Sequence, residues 1–562
     1  MHFDDLLKTL GEFGTFQKRR YALICILGFQ SVMAMLGIVF FGAQMDHYCK
    51  VPAHYIDWVT QAYGNVSHEE LLNIAIPRNK DGEREQCILY RYDNDTRLEA
   101  IYSIADGQNI TSDFSHSFGA LHLERSNITT KPCPEGRIYS QEQFKSTLVS
   151  EFDLSCGNAW QLSTCKSALF AGKLFALLLS GVISDRFGRR HVFLFGQFFV
   201  AATGISMAFA PDMLSFSVLY VLQGSCDALV YLTIYTLGME LVGTSKRRMA
   251  GLIIGMFFGL GHTLLALEAY LVRNWRHLAL VANSPAVFFT LFWLVLPESV
   301  RWLLAQGRHE EAKAIITRVA AVNKVTLDPD VLDEFLLTGD QEKRVTHTPV
   351  DLLKTLNRAK VTLNLAFLWL VNSLVYFGLS YGTQDLGGSL FLNFALMGLA
   401  DIPGQFLALF ILDTIGRRKI LLIFMVIGGL ACIIAVLIPK DLQWLTITLA
   451  LLGKMAISTT FAVIYMVTSE IYPTVIRHVS LSFHSSIGRL GGLLAPQILL
   501  LETVYKPLPF IVIGLCSVTA GGLAMLLPET LGKPLSQTMA AFDTVINGRL
   551  VSKCTFNRFS LY

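Results

Sequence analysis

The sequence predicts an all-α membrane protein of twelve transmembrane helices in two six-helix bundles, with a large extracellular first loop. Composition is the first reason. Of 562 residues, 52% are hydrophobic and 16% charged, whereas a soluble domain carries roughly 25% charged residues. The second reason is that the apolar residues fall in long runs, and a helix needs about 20 of them to cross a bilayer. The third is a repeated turn. Ser184-Asp185-Arg186-Phe187-Gly188-Arg189-Arg190 joins two apolar runs, and a degraded copy, Leu412-Asp413-Thr414-Ile415-Gly416-Arg417-Arg418, joins two more. Fold-scale repeats of this kind are a habit of transporters.

The expected spans in the first half are 21–43, 158–183, 192–210, 213–237, 250–272 and 278–296. In the second half they are 361–381, 387–412, 420–438, 442–471, 479–501 and 507–527. Residues 1–20 form a short N-terminal segment with no cleavable leader pattern, so the first apolar run reads as a retained helix. Between the helices lie a loop at 44–157, a second loop at 298–360 and a tail at 528–562. Lys18, Arg19 and Arg20 precede the first helix. Arg186, Arg189 and Arg190 follow the second, Lys246, Arg247 and Arg248 the fourth, Arg301 and Arg308 the sixth, and Arg417, Arg418 and Lys419 the eighth. A twelve-helix count puts all of these on one side, which the positive-inside rule makes the cytoplasm. Both termini then lie inside, in the plasma membrane.

The 44–157 loop falls outside. It carries four glycosylation sequons, at Asn65, Asn94, Asn109 and Asn127, and their clustering there agrees with the topology. It also carries Cys49, Cys87, Cys133 and Cys156. Four cysteines in an oxidising compartment imply two disulfides, with three pairings open. The cytoplasmic loop holds Glu310-Glu311-Ala312-Lys313-Ala314-Ile315-Ile316, which reads as an amphipathic helix along the membrane face. The chain shows no phosphate-binding loop, zinc spacing or nucleophile elbow, so neither an ATP-driven pump nor an enzyme is expected, and no cofactor or metal. No basic tract with interleaved aromatics points to nucleic acid. The partners are the lipid bilayer and a small solute.

Two further motifs recur once per half. Gly238-Met239-Glu240 with Arg247-Arg248 matches Ser469-Glu470-Ile471-Tyr472-Pro473-Thr474 with Arg477. Pro297-Glu298-Ser299-Val300-Arg301-Trp302-Leu303-Leu304 matches Pro528-Glu529-Thr530-Leu531-Gly532-Lys533-Pro534-Leu535. On these motifs the sequence resembles the major facilitator superfamily. With its Cys-bearing first loop it looks like the organic cation, organic anion and carnitine transporters of solute carrier family 22. The resemblance runs from Leu10 to Leu535 and implies alternating access, in which two bundles rock about a central site.

Asp185, Arg186, Arg190, Glu240, Arg248, Glu298, Asp413, Arg417, Arg418, Glu470, Arg477 and Glu529 all fall at one end of the helices. A carboxylate at a helix end can bond arginines and exposed backbone N–H groups. Such a layer reads as a gate, because each exposed pair contributes only about 0–1 kcal/mol and can break every cycle.

Ionisable residues in mid-helix are expensive and mark function. Arg489, in Ser485-Ser486-Ile487-Gly488-Arg489-Leu490-Gly491-Gly492, is the clearest, with small neighbours that let a backbone or ligand approach. Cation-carrying members resemble this segment but have an acid there, and anion or carnitine carriers have arginine. Arg489 would then receive a carboxylate or sulfate, which suits its fork. Lys173 and Asp227 lie mid-helix in the first half. They could neutralise each other, Asp227 could take a substrate amine, or Lys173 could add to Arg489. Gln405 stands where some anion exchangers have lysine. Asp401 matches a family acid and Lys454 a family lysine. Phe258, Trp369, Tyr376, Phe377, Phe461, Tyr465 and Tyr231 match or adjoin cavity positions, and their rings could line a drug-sized pocket. His262 and Glu268, one and a half turns apart in the fifth helix, read as a hydrogen-bonded pair at its outer end, with a proton-coupling pair as the alternative. The resemblance thus implies transport of small organic anions or zwitterions, with organic cations as the alternative and a transport-dead scaffold behind both.

Overall fold

The computed structural model describes residues 3–63, 67–79, 82–90, 130–243, 245–326, 332, 335, 348–473, 475–532, 538–539 and 542–544. The four sequons, at Asn65, Asn94, Asn109 and Asn127, lie outside the described residues. The chain divides into two compact units, Met1–Ala43 with Trp160–Tyr562, and Gln44–Ala159.

A helix stands at every expected span of the first unit. In the first half these are α1 (Thr15–Phe41), α2 (Ala159–Phe187), α3 (Arg189–Met207), α4 (Met213–Leu241), α5 (Arg247–Leu271) and α6 (Trp275–Leu294). In the second they are α7 (Leu356–Tyr381), α8 (Leu390–Ile415), α9 (Arg417–Leu437), α10 (Gln443–Ile471), α11 (Arg477–Leu499) and α12 (Leu508–Ala524). Side-chain caps fix several starts. Asp212 accepts from Ser215 N at 2.8 Å before α4, and the Thr355 and Ser389 hydroxyls cap α7 and α8. Each satisfies a backbone N–H that the helix leaves orphaned.

Among the described residues eight helices are long and apolar enough to cross a membrane, or nine if α2, bent by 48°, is taken as one span. The other three are α3, α11 and α12. α3 begins Arg189-Arg190-His191, α12 has only 17 residues, and α11 carries Arg477, His478, His484 and Arg489 among its serines. In α11 one buried polar residue is met within the same half, where the His484 ring nitrogens lie 2.6 Å from Ser480 O and 3.2 Å from Thr362 O of α7.

Within the halves α3 packs on α4, α9 on α10 and α12, and α7 on α11. Between them α5 packs along α8, with glycine at the contact. A Cβ on Gly259 would sit 2.7 Å from the Gly398 carbonyl oxygen, and one on Gly398 would collide with the His262 side chain.

The expected amphipathic segment is the helix His309–Asn323. Its apolar side is covered by protein rather than lying along a membrane face. Ala312, Ile316, Val319 and Ala320 pack with Leu6, Leu10, Phe16 and Leu303. Asn323 fastens this helix to the N-terminal segment, donating to Leu10 O and Gln17 Oε1 and accepting from Phe16 N at 2.9 Å.

The second unit is a small disulfide-bonded module. Strand β1 (His47–Cys49) pairs antiparallel with β4 (Arg137–Tyr139), and β2 (Ile88–Tyr90) with β3 (Thr130–Pro132). Cys49 is bonded to Cys133 and Cys87 to Cys156, which selects one of the three pairings left open by the sequence. The apolar cluster is small, built on Val51, Tyr55, Leu72, Ile76 and Leu89, so covalent links must supply much of the order. Replacing Cys87 and Cys156 together by serine is expected to cost this module about 2–5 kcal/mol. Faster limited proteolysis within the segment than in the parent checks this.

Candidate functional site

The repeated turn is built the same way in both halves, from backbone rather than side-chain contacts. Gly188 has φ +87° and separates α2 from α3; Gly416 has φ +92° and separates α8 from α9. Only glycine adopts this conformation without strain. Behind Gly188 the Glu298 carboxylate accepts from Arg189 N at 2.9 Å and Arg190 N at 3.1 Å. Behind Gly416 the Glu529 carboxylate accepts from Arg417 N at 3.1 Å and Arg418 N at 3.3 Å. Each acid therefore caps the positive end of the next helix. Asp185, expected to bond arginines and such N–H groups, does the first, pairing with Arg189 at 2.9 Å, while Glu298 takes the N–H groups; the Asp185 carbonyl accepts from Trp302 Nε1. A Cβ at residue 188 would lie 2.6 Å from Glu298 Oε2. Gly188→Ala is thus expected to lower stability by at least about 1–2 kcal/mol from backbone handedness alone, seen as a reduced melting temperature in detergent.

Arg417 forms a two-pronged pair with Glu470, both contacts at 3.1 Å, and Glu470 also accepts from the Thr530 hydroxyl. Arg190 donates to Trp293 O and lies 4.5 Å over that indole, while Arg418 donates to Met525 O. Arg186 lies over Phe187 and is exposed. Glu240 Oε2 and the Nε and Nη2 of Arg477 have no hydrogen-bond partner. The side chains of Arg248 and Asp413 lie outside the described set. The pairs Asp185–Arg189 and Arg417–Glu470 each stay within one half. Across the halves, His478 on α11 is close enough to feel Glu240.

The opposite end, which leads into the 44–159 segment, is stitched directly between the halves. Gln384 Nε2 donates to Val39 O at 2.9 Å, Tyr381 to Met35 O at 3.3 Å, and Ser167 to Leu493 O at 2.7 Å. Phe40 of α1 packs on Phe391 and Phe394 of α8.

Between these ends lie the mid-helix charges. Lys173 Nζ donates to Asp227 Oδ2 at 2.6 Å, with both side chains under a tenth exposed. Ser31 donates to the same oxygen at 3.0 Å. Lys173 and Asp227 are thus paired with each other, as the first of the three readings expects. The carboxylate lines a small cleft walled by Gln30, Ser31, Tyr231, Tyr235 and Ile254 among others, all of the first half.

Arg489, half-buried on α11 of the other half, does not line this cleft but lies near two of its neighbours. Its charge acts on both Lys173 and Tyr231, and no acid pairs with it among the described residues. The small residues beside it serve helix packing. A Cβ on Gly488 would meet Trp369, and Cβ atoms on Gly491 and Gly492 would collide with the Leu370 carbonyl and the Phe170 ring. The expected aromatics do cluster. Trp369 lies 4.4 Å from Tyr465 and donates to Thr468; Tyr376 lies 5.3 Å from Phe461 and 5.2 Å from Phe377. Phe377 stacks edge-on against Phe170 of α2. Gln405 is held by Ser458 and packs against Gly255. Phe258 turns toward His262, whereas its neighbour Phe257 packs on Phe29.

Sequence reasoning missed one cluster. His262 lies 3.5 Å from Asp401 on α8, not beside Glu268, whose Oε2 has no hydrogen-bond partner. Asp401 also accepts from the Tyr376 hydroxyl at 2.8 Å, and Lys454 donates to Ser380 while sitting 3.1 Å over the Tyr376 ring. Only the fold brings these helices together. Tyr235, walling the cleft one turn beyond Tyr231, could have been found by helical spacing.

Two helical halves with buried mid-helix charges and aromatics between them, each carrying a copy of the same turn, define a membrane transporter of the major facilitator fold. The family model described as "Sugar (and other) transporter" matches residues 136–542. The organic cation transporter protein of Drosophila melanogaster is 34% identical, over 96% of this chain and 94% of its own. Solute carrier family 22 member 3 of Rattus norvegicus is 34% identical, over 98% and 97%. Member 2 of Homo sapiens is 32% identical, over 95% and 94%. Among solved structures, the inward-open xylose transporter XylE of E. coli aligns with TM-score 0.55 at 18% identity, over 68% of this chain and 90% of its own. That likeness concerns the fold alone. The chain belongs to solute carrier family 22, within the sugar and other transporter family, and is not an enzyme.

Proposed function

We propose that this protein carries small organic ions across the plasma membrane by alternating access, and that Arg489 selects substrates bearing a carboxylate or sulfate. The observation that carries this is a mid-helix guanidinium with no acid paired to it among the described residues. Asp227 is balanced by Lys173, so the residual charge among these three residues is positive. A bidentate anion would complete Arg489. The names of the relatives favour organic cations, and the clustered ring faces of Tyr376, Phe461 and Tyr231 can hold a quaternary nitrogen. Zwitterions satisfy both features and organic anions the first.

In this reading the Glu298 and Glu529 layer is the cytoplasmic gate, the basic end faces inside, and the disulfide-bonded segment lies outside, where disulfides persist. A competition panel in expressing cells tests it, with L-carnitine, glutarate and tetraethylammonium as probes. The second reading, transport of organic cations alone, replaces the first if only tetraethylammonium competes. Absence of saturable uptake for all three removes both.

A further inference from the structure

We infer that Arg19 and Arg20, at the start of α1, and Arg318, on the helix His309–Asn323, form a binding site for a lipid headgroup carrying several phosphates. The inference goes beyond the substrate reading and takes from it only which end of the bundle is cytoplasmic.

Three observations carry it. The first is that two segments far apart in the chain are fastened together at this point. Phe16 of α1 packs with Val319 and Ala320. The Asn323 amide donates to Gln17 Oε1 at 2.9 Å, and its oxygen accepts from Phe16 N. Arg20 lies one turn beyond Phe16, with its guanidinium 5.2 Å over that ring, and Arg318 directly precedes Val319. The charges of Arg318 and Arg19 are both near enough to act on Arg20.

The second is charge without balance. Like charges set side by side repel, yet no acid pairs with Arg19, Arg20 or Arg318 among the described residues. The described acids of the same segments are engaged or distant. Glu12, just before α1, accepts from Ser245. Glu310 and Glu311 stand in the first turn of the helix His309–Asn323, away from Arg318, and Glu311 pairs with Arg308. Arg20 Nε has no hydrogen-bond partner, while Lys18, Arg19 and Arg318 are exposed. The fold therefore fixes a knot of positive charge that nothing described in the chain neutralises.

The third is depth. Arg20 immediately precedes Tyr21, where the apolar run of α1 begins, so the knot lies at the level of the headgroups. Bases placed there attract the anionic lipids of the cytoplasmic leaflet. A guanidinium meets phosphate through parallel N–H groups. Three guanidiniums with Lys18 beside them exceed what one phosphodiester can balance, which is why the headgroup is a polyphosphorylated one, as in a phosphoinositide. A soluble anion would gain nothing from this depth.

Binding is measured on the full-length protein in detergent by microscale thermophoresis. The probe is dioctanoyl phosphatidylinositol 4,5-bisphosphate, with dioctanoyl phosphatidylcholine as the neutral lipid and inositol 1,4,5-trisphosphate as the free headgroup. Arg318→Gln and Arg20→Gln are each expected to weaken binding of the bisphosphate lipid about fivefold. Arg308→Gln, which removes a charge already paired with Glu311, is expected to leave it unchanged, and Arg318→Lys to recover most of the loss. Equal losses for Arg308→Gln and Arg318→Gln would reveal a diffuse field and overturn the site. If the free trisphosphate binds as tightly as the lipid, the site takes a soluble anion and the lipid assignment falls. No preference over phosphatidylcholine overturns the inference outright. Arg318 is exposed, so its variants decide the matter should Arg20→Gln fail to elute as a single species. The measurement needs no transport, so a lack of uptake for every solute would remove the substrate reading and leave this result standing.

Discussion

Arg489→Gln is expected to reduce uptake of carboxylate-bearing substrates by about 30-fold or more. Truncating one partner of a buried hydrogen-bonded charge pair costs about 2–5 kcal/mol, and each 1.4 kcal/mol is tenfold. Glutamine keeps hydrogen-bonding capacity and much of the length but loses the charge and the fork. The loss should fall on carboxylates, because the Trp369, Tyr465 and Tyr376 rings remain in place for any apolar or cationic part of a substrate. Radiolabelled L-carnitine and tetraethylammonium uptake, compared between parent and variant, reads this directly. An equal fall for both probes, with surface expression unchanged, would point to a packing role for Arg489 and sink its assignment to the substrate anion.

Lys173→Leu is expected to be the most damaging single change in the first half. It strands the Asp227 carboxylate, buried with only Ser31 to hold it. Breaking a buried pair from one side costs about 3–5 kcal/mol, whereas replacing both partners by apolar groups of similar volume is often neutral. The double variant Lys173→Leu with Asp227→Leu should therefore melt close to the parent, and the single variant well below it. The cleft supplies a second readout. With its internal ammonium gone, Asp227 should accept one from outside, so a primary-amine solute should raise the melting temperature of Lys173→Leu and leave the double variant unmoved. A single variant as stable as the parent would show that Lys173 contributes nothing to balancing Asp227.

Much of the architecture was legible in the chain, because apolar runs of spanning length and repeated turns are local signals. Each expected span holds a helix, and only the polar α3 and α11 and the short α12 depart from plain membrane composition. What failed to show was pairing across elements. His262 and Glu268 share a helix and suggested each other, but the partner that counts, Asp401, arrives through the packing of α5 on α8. The same holds for Glu298 and Glu529, read as members of a side-chain network, whose main bonds are to backbone. The glycines near Arg489 looked like room for a ligand, and their space is taken by Trp369, Leu370 and Phe170. Spacing along one helix carries no information on which neighbour will fill a gap.

The backbone grip of Glu298 and Glu529 bears on how the two copies of the turn could drift apart. A carboxylate that holds peptide N–H groups is indifferent to most side chains around it. Arg186 and Phe187 stand opposite Thr414 and Ile415, and Ser184 opposite Leu412, yet Gly188 and Gly416 keep nearly the same dihedral angle. What the device demands of its sequence is one glycine and one distant acid. The residues between are free to answer to other needs, so the second half can specialise its surface while both halves keep a common joint.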